Sequence, residues 1–216
     1  MPGHAAAAID IPRLADRSVA PLSSMQQRLW YMEQLHPGRV VYNTPSAHRL
    51  RGPMNVDAFR DALRDVVQRQ PALRTSIEAG DNGGVQRIHA GLLPALPLED
   101  LSDLPADARL DSIRQALDTD IAIPFDLPQP PLYRARLFRI DEHDHVFYFM
   151  AHHIVWDGWS FDLLYEDLSR AYVARCAGRV GIAFGGAAML GFAMVMGSRF
   201  RVLAQSGGYC PTSAQD

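Results

Sequence analysis

One stretch of the sequence limits the folds open to this chain more than any other. Residues 146–150 are apolar, uncharged and rich in aromatic side chains, whereas residues 161–172 are amphipathic. The first pattern favours a strand and the second favours a helix. Between them, residues 152–158 carry two histidines, an aspartate and a glycine. The sequence therefore predicts a strand, a turn and a helix in direct succession, with His152 and His153 at the exit of the strand.

The two adjacent histidines are expected to do different things. Successive side chains of a strand point to opposite faces, so His152 and His153 cannot both face one cavity. We expect one histidine to anchor the turn and the other to face whatever binds there. Asp157 and Gly158 then supply a charge and a close backbone approach within the turn.

Helices and strands are interspersed along the rest of the sequence. Ser23, with Gln26 three residues later, predicts a capping box at the start of the first helix. Pro45 interrupts the strand expected at residues 40–50 and places it at the edge of a sheet, because proline has no N–H to donate to a neighbouring strand. Helices are expected at 21–35, 55–70, 108–121 and 161–172, strands at 40–50, 73–78, 85–89, 132–140 and 146–153, and a surface connection at 92–105. This mixture predicts an α/β (α+β) sandwich.

The composition excludes several kinds of chemistry. All 21 basic residues are arginine, so no Schiff-base lysine, P-loop lysine or lysine general base is available. A net charge of −3 gives no reason to expect nucleic acid or an anionic membrane as a partner. Two cysteines are too few for a disulfide framework, and residues 1–8 lack the basic start of a signal peptide. We therefore expect a cytoplasmic protein.

Residues 179–216 differ in composition from the rest of the chain. No acidic residue lies between Asp167 and Asp216, and residues 180–198 are uncharged and contain five glycines. A membrane-spanning helix needs about 20 apolar residues, so the length of this segment permits one. We expect no membrane span, because the glycines weaken a helix and nothing else in the sequence points to a bilayer. A buried or disordered tail is the plainer interpretation.

Five segments together carry a family resemblance. Residues 152–158 match the pattern His-His-x-x-x-Asp-Gly, and segments 24–45, 69–75, 124–135 and 159–160 agree with the same family in the same order. Over residues 23–177 the chain resembles the condensation domains of non-ribosomal peptide synthetases. It departs from them at Gln70 and Pro71, where the family usually has His-Glu.

The resemblance implies a fold and a division of the chain. The fold would be a chloramphenicol-acetyltransferase-like N-terminal lobe, a mixed sheet with flanking helices. Residues 1–20 would be a flexible N-terminus, residues 21–178 the lobe, and residues 179–216 an atypical tail. A complete domain of this family has two such lobes with the active site between them, and no second-lobe motif follows residue 178. We therefore expect the tail to be either the product of a truncated or frame-shifted gene or a divergent end.

The resemblance also implies an activity. In this family the amine of an acceptor aminoacyl group attacks a donor thioester, and both groups are carried on phosphopantetheine arms of carrier proteins. Carrier proteins and other synthetase domains are thus the expected partners, and no cofactor is expected to be bound directly. Catalysis is assigned to His153, as base or as positioning group. His153 shares the strand parity of Phe147 and Phe149, and we expect His153 to face the substrate channel.

Supporting roles follow for the neighbouring residues. His152 is expected to support the loop from the opposite face. Asp157 is expected to form a structural ion pair with Arg74 or Arg28, which would be costly to break if buried. Gly158 would keep the wall open for the donor thioester and offer its N–H to the oxyanion.

Other interpretations stay open. A second interpretation is an inactive fragment or a module that binds carrier proteins, because a site between two lobes needs both of them. A stand-alone acyltransferase completed by oligomerisation is a further alternative. No metal site is expected at His152, His153 and Asp157, because the two histidines face opposite sides. Ser160 lacks the Gly-x-Ser-x-Gly pattern of a hydrolase nucleophile.

Overall fold

The strands of the chain form two sheets in a computed structural model that describes residues 18–179. In chain order the elements are β1 (Val19–Pro21), α1 (Ser24–Leu35), β2 (Asn43–Arg51), α2 (Val56–Arg69), β3 (Thr75–Gly80), β4 (Gly83–Ile88), β5 (Leu98–Asp100), α3 (Ala106–Ile121), β6 (Tyr133–Asp141), β7 (Asp144–His152) and α4 (Gly158–Cys176). The smaller sheet has the order β1-β4-β3 and the larger one the order β2-β7-β6-β5. Only the β5–β6 pair is parallel among the strands described. This mixed sheet with flanking helices confirms the predicted fold class.

Strand β7 is the centre of the larger sheet. All nine of its residues are buried, since β2 and β6 pair with its two edges and helices cover both faces. Side chains at odd positions, such as Phe149, pack in one core with α2 and α4. Side chains at even positions, such as Tyr148, pack in a second core with α3. A strand that is buried on both faces has a continuous apolar run in its sequence, which is the pattern that predicted it.

Short-range hydrogen bonds determine where the helices begin. Ser23 Oγ accepts from the Gln26 N–H at 3.3 Å, and the Ser23 N–H donates to Gln26 Oε1 at 3.0 Å. The predicted capping box is therefore confirmed. Asn55 caps α2 with its side chain. Arg175 of α4 donates from Nε to Oδ2 of Asp65 on α2 at 2.7 Å, which holds these two helices together above the sheet.

Strand β2 lies at the edge of the larger sheet, as Pro45 predicted. It pairs with β7 along its whole length, with Asn43 opposite His152 and Arg51 opposite Asp144. Arg49 Nε donates to Asp144 Oδ1 at 2.7 Å near the far end of the pair. The register brings the segment before β2 beside the exit of β7.

Several boundaries differ from the predictions. Strand β5 lies within residues 92–105, which we predicted to be a surface connection, because three residues held by parallel pairing to β6 leave no local pattern. Pro71–Arg74 forms a 3-10 helix, so β3 starts at Thr75 rather than at residue 73. Strand β1 starts at Val19, within the segment predicted to be flexible, because it pairs with β4.

The predictions for residues 180–216 lie outside the described residues. These are the atypical tail, its origin and the membrane-span alternative. Within residues 18–179, no helix combines the length and the apolar character needed to cross a bilayer.

Two adjacent leucines of α4 test this packing. Leu164 is 2% exposed and lies in the core shared with α2, whereas Leu163 is 57% exposed. We expect Leu164→Ala to lower the free energy of unfolding by about 2–5 kcal/mol, because it leaves a cavity. Leu163→Ala should change it by less than about 0.5 kcal/mol. Urea unfolding followed by circular dichroism measures both, and equal losses would show that the buried face of α4 is wrongly assigned.

Candidate active site

The two histidines lie where β7 ends and the turn to α4 begins. Strand β7 ends at His152 and α4 begins at Gly158, so residues 153–157 leave the sheet and return as a helix. The His153 N–H donates to the Tyr42 carbonyl at 2.9 Å, and the Val155 N–H donates to the His152 carbonyl at 3.1 Å. The backbone of the turn is thereby held against the residue that precedes β2.

The His152 side chain lies in the core beneath the turn. Its Nδ1 accepts from the Ile154 N–H at 3.1 Å, so the neutral ring carries its proton on Nε2. That Nε2 is buried and has no hydrogen-bond partner among the described residues. The ring makes edge contacts with Tyr42 and Phe125. Burial lowers the pKa of His152 to about 4, with the neighbouring His153 charge adding to the effect, so this imidazole is neutral at pH 7.

The His153 side chain is exposed and has the opposite tautomer. Its Nδ1 lies 2.6 Å from the Trp156 carbonyl oxygen. A carbonyl oxygen can only accept, so Nδ1 must carry the proton. The neutral ring therefore keeps Nε2 as an unprotonated nitrogen on an exposed side chain. This arrangement leaves one basic atom available to a ligand and orients it through the backbone.

Strand parity with Phe147 and Phe149 does not by itself place His153 in solvent. Those two rings are buried beneath α2 and α4, whereas His153 is exposed. The strand ends at His152, so alternation along β7 no longer determines where His153 points. The turn, not the strand, places this side chain in solvent.

Asp157 is the N-terminal cap of α4. Its Oδ1 accepts from the Ser160 N–H at 2.9 Å and from the Ser160 hydroxyl at 2.7 Å. The Asp157 N–H donates back to Ser160 Oγ at 3.3 Å, which completes a capping box. The Ser160 hydroxyl and N–H hold the pKa of the Asp157 carboxyl below its usual value, with a smaller contribution from His153.

The predicted ion pair of Asp157 with Arg74 or Arg28 is not formed. Arg74 donates instead to three backbone carbonyls, those of Val67, Gln68 and His89. Arg28 is exposed on α1 and forms no ion pair with Asp157. The helix terminus offers donors within three residues of the carboxylate, so the cap needs no distant arginine.

Gly158 is the first residue of α4 and is exposed. A Cβ built at this position meets nothing within 4 Å. Its N–H has no acceptor among residues 18–179, as is usual for the first turn of a helix. Trp159, next along the chain, is 79% exposed, so this end of α4 presents a backbone donor beside an apolar surface.

The contact that joins α1 to the turn was not predicted from the sequence. Gln26 Nε2 donates to the Ile154 carbonyl at 2.9 Å, while its Oε1 serves the capping box. The only local signal was the Ser-x-x-Gln spacing, which predicts the cap and not a partner 128 residues away. Gln26 therefore couples the start of α1 to the residue that follows His153.

The imidazoles of His152 and His153 do not face a common position at which both could bind one ligand. One is buried under the turn and the other is exposed above it. Within residues 18–179, no group of three histidine, cysteine or acidic side chains is arranged to hold a metal ion.

Substitutions of Asp157 distinguish its role as a helix cap from a role in an ion pair. Asp157→Ala should lower the free energy of unfolding by about 1 kcal/mol, because the cap is lost. Asp157→Asn keeps an acceptor and should cost less than about 0.5 kcal/mol. Urea unfolding measures both. If both variants lost about 3 kcal/mol or more of unfolding free energy, the result would support an ion pair of Asp157 with Arg74 or Arg28 instead of a cap.

The depressed pKa of His152 predicts a pH dependence of stability. An unfolded histidine takes up a proton near pH 6.5, whereas folded His152 does so only near pH 4. The unfolded state therefore binds more protons between these values. The contribution of His152 is complete above pH 6.5 and is lost as the pH falls towards 4, up to roughly 3 kcal/mol.

Burial also lowers the pKa of His48 and His145, so the slope of stability against pH has several sources. A ¹H–¹⁵N NMR titration resolves His152 individually. We expect its ring to remain the neutral Nε2–H tautomer well below pH 6.5, and a midpoint near 6.5 would contradict the buried placement.

The chain is similar to known proteins over the residues just described. The model of the family described as "Condensation domain" matches residues 16–180. A linear gramicidin synthase protein of Brevibacillus parabrevis is 41% identical over 152 residues, which is 70% of this chain and 3% of that protein. Phosphinothricin tripeptide synthetase of Streptomyces viridochromogenes is 40% identical over 160 residues, 74% of this chain and 15% of that protein.

Solved structures share the fold. The starter condensation domain of rhizomide synthetase superposes with a TM-score of 0.69 at 27% identity, covering 76% of this chain and 41% of that one. The first condensation domain of the CDA synthetase gives the same values. Another structure of the rhizomide domain, with a TM-score of 0.71 and 26% identity over 77% of this chain and 38% of that one, is a complex with C8-CoA and Leu-SNAC.

The chain spans 41% of the solved condensation domains and a far smaller share of the synthetases. The family match includes the whole of the larger sheet and the turn at 153–157. The chain belongs to the condensation-domain family.

Proposed function

We propose that residues 18–179 supply the catalytic half of a condensation domain that joins a donor thioester to an acceptor amine in non-ribosomal peptide synthesis. The observation that carries this proposal is the exposed His153, whose Nδ1 is bound to the Trp156 carbonyl. The synthetases among the relatives support the reaction class. The rhizomide domain with C8-CoA and Leu-SNAC supports the substrate class.

The reaction needs one proton to move and one negative charge to be stabilised. The acceptor amine attacks the thioester carbonyl carbon, and the carbon–sulfur bond breaks as the amide forms. The nitrogen loses a proton, which the departing thiolate finally takes up. His153 Nε2 is suited to carry this proton, since its lone pair is free while Nδ1 holds the ring proton. We therefore assign His153 as the catalytic residue, acting as a base.

The N-terminus of α4 is the candidate for oxyanion stabilisation. The Gly158 N–H is not consumed within the described residues, and it stands at the positive end of the helix dipole. The absence of a side chain at Gly158 keeps this donor open, since no Cβ shields it. We assign the Gly158 N–H to the developing oxyanion of the tetrahedral intermediate.

His152 and Gln26 act through the turn and not on the substrate. His152 is neutral and buried, and its Nδ1 holds the Ile154 N–H. Gln26 holds the carbonyl of the same residue. Both backbone groups of Ile154 are thus fixed immediately after His153. We assign His152, Asp157 and Gln26 as positioning residues.

The proposed partners follow from the substrates. Donor and acceptor would arrive on phosphopantetheine arms of carrier proteins, within the cytoplasm and beside other synthetase domains. No cofactor would be held by the chain itself, because every group that the reaction needs is a side chain, a backbone donor or part of a substrate.

A second candidate function is binding of carrier proteins without turnover. The observation behind it is that the chain spans 41% of the solved domain length, while the resemblance places the site between two lobes. The two candidates differ in whether amide forms once the rest of a condensation domain is supplied.

Replacement of His153 tests the catalytic assignment. Residues 18–179 would be joined to the second lobe of the rhizomide starter domain, and amide formation from C8-CoA and Leu-SNAC would be followed by mass spectrometry. We expect His153→Ala to lower the rate by roughly 10²- to 10⁴-fold, because a general base is lost.

His143→Ala is the matched control. His143 is exposed at the opposite end of β7, so its loss should leave the rate unchanged. Equal rates for His153→Ala and the parent would refute the catalytic role. Carrier-protein binding by the 216-residue chain, with no amide product from the parent protein joined to the second lobe, would favour the second candidate.

A further inference from the structure

A cavity lies at the C-terminal end of α1, away from the helix end that holds the 153–157 turn. It has a volume of about 410 Å³ and lies between the last turn of α1 and the loop before β6. Glu33, Pro37 and Gly38 line one side, and residues 124–128 line the other. A volume of this size is in the range of small-molecule pockets.

Glu33 is the most informative residue of this cavity. It is only 7% exposed. Its Oε1 accepts from the Gly38 N–H at 2.8 Å, whereas its Oε2 is buried and has no hydrogen-bond partner among residues 18–179. None of the ion pairs within that range includes it. A carboxylate removed from water without a cation is unfavourable, so this oxygen marks a position for a positive charge.

The rest of the lining suits a charged group on an apolar stem. Asp126 adds a second, exposed carboxylate. The apolar part of the lining consists of Pro37, Pro124, Phe125, Leu127 and Pro128. A long basic side chain packs its stem on such a wall and places its head at the carboxylates.

The Phe125 ring already contacts one guanidinium group, that of Arg134. The Arg134 Cζ lies 4.2 Å from the centroid of its ring, which is a cation–π distance. The donors of Arg134 go to the backbone carbonyls of Asp120, Ile123 and Pro124. Arg134 therefore places a positive charge near the cavity, but its donors do not pair with Glu33.

We propose that this cavity binds the guanidinium group of an arginine side chain, with Glu33 as the buried anion and Asp126 at the rim. A guanidinium fits better than an ammonium, because it is planar, less strongly hydrated and stacks on apolar walls. The ligand is any molecule that presents this group, either a free arginine derivative or an arginine of a peptide. The proposal does not depend on amide formation, and its test measures no turnover.

A titration with matched ligands tests the proposal. The ¹⁵N-labelled 216-residue chain would be titrated with N-acetyl-arginine amide and, separately, with N-acetyl-citrulline amide, which is nearly isosteric but neutral. We expect a saturable shift of the Gly38 amide signal with the arginine ligand. The citrulline ligand should bind at least about tenfold more weakly, because it cannot form a charge-assisted hydrogen bond. An arginine-containing peptide in a third arm shows whether a peptide-borne group binds equally.

Variants at the two carboxylates locate the binding site. Glu33→Gln keeps an acceptor for the Gly38 N–H but removes the charge, and should weaken arginine binding by about tenfold. Asp126→Asn, at the exposed rim, should weaken arginine binding without changing that of citrulline, and it serves if Glu33→Gln fails to fold. Equal affinity for the two ligands in the parent chain, or no movement of Gly38 at saturation, would overturn the proposal.

Discussion

Burial of β7 on both faces is the constraint on which the site depends. The strand is covered by α2 and α4 on one side and by α3 on the other up to its last residue, His152. A histidine at this boundary can stay in the core only as the neutral form, because burial penalises the charged ring. The chain then leaves the sheet, and His153 is the first side chain free of both layers. The catalytic candidate is therefore placed by where the core ends.

The same short turn gives the two histidines opposite proton positions. At His152, Nδ1 faces a backbone donor, the Ile154 N–H, and must accept. At His153, Nδ1 faces a backbone acceptor, the Trp156 carbonyl, and must donate. Neither assignment needs an acidic side chain, in contrast with sites where a carboxylate fixes the tautomer. The backbone of residues 154–156 thus determines which imidazole has a free, exposed nitrogen.

The parts of the fold that follow from neighbouring residues could be predicted from the sequence. The Ser23–Gln26 capping box, the edge position of β2 and the doubly buried β7 each depend on a pattern within one element. The predictions that were wrong or missing concern contacts between elements. Strand β5 exists only through β6, and the Gln26 contact with Ile154 requires the packed position of α1. No local pattern contains either of them.

The predicted ion pair of Asp157 is wrong for a different reason. An aspartate in a motif and an arginine in a neighbouring family segment suggested mutual attraction, but closer partners were available to each group. Ser160 satisfies the carboxylate from within the same helix turn, at little cost in chain entropy. Arg74 satisfies carbonyls at the end of α2 and at His89.

At Gln70, where the chain departs from the family, the side chain joins two helices that are distant in sequence. Gln70 Nε2 donates to Asp167 Oδ2 at 2.8 Å, so an uncharged amide joins the end of α2 to α4. Asp167 lies ten residues beyond Asp157, about 15 Å along the helix. The departure from the family pattern therefore concerns the contact between α2 and α4, at a distance from the 153–157 turn.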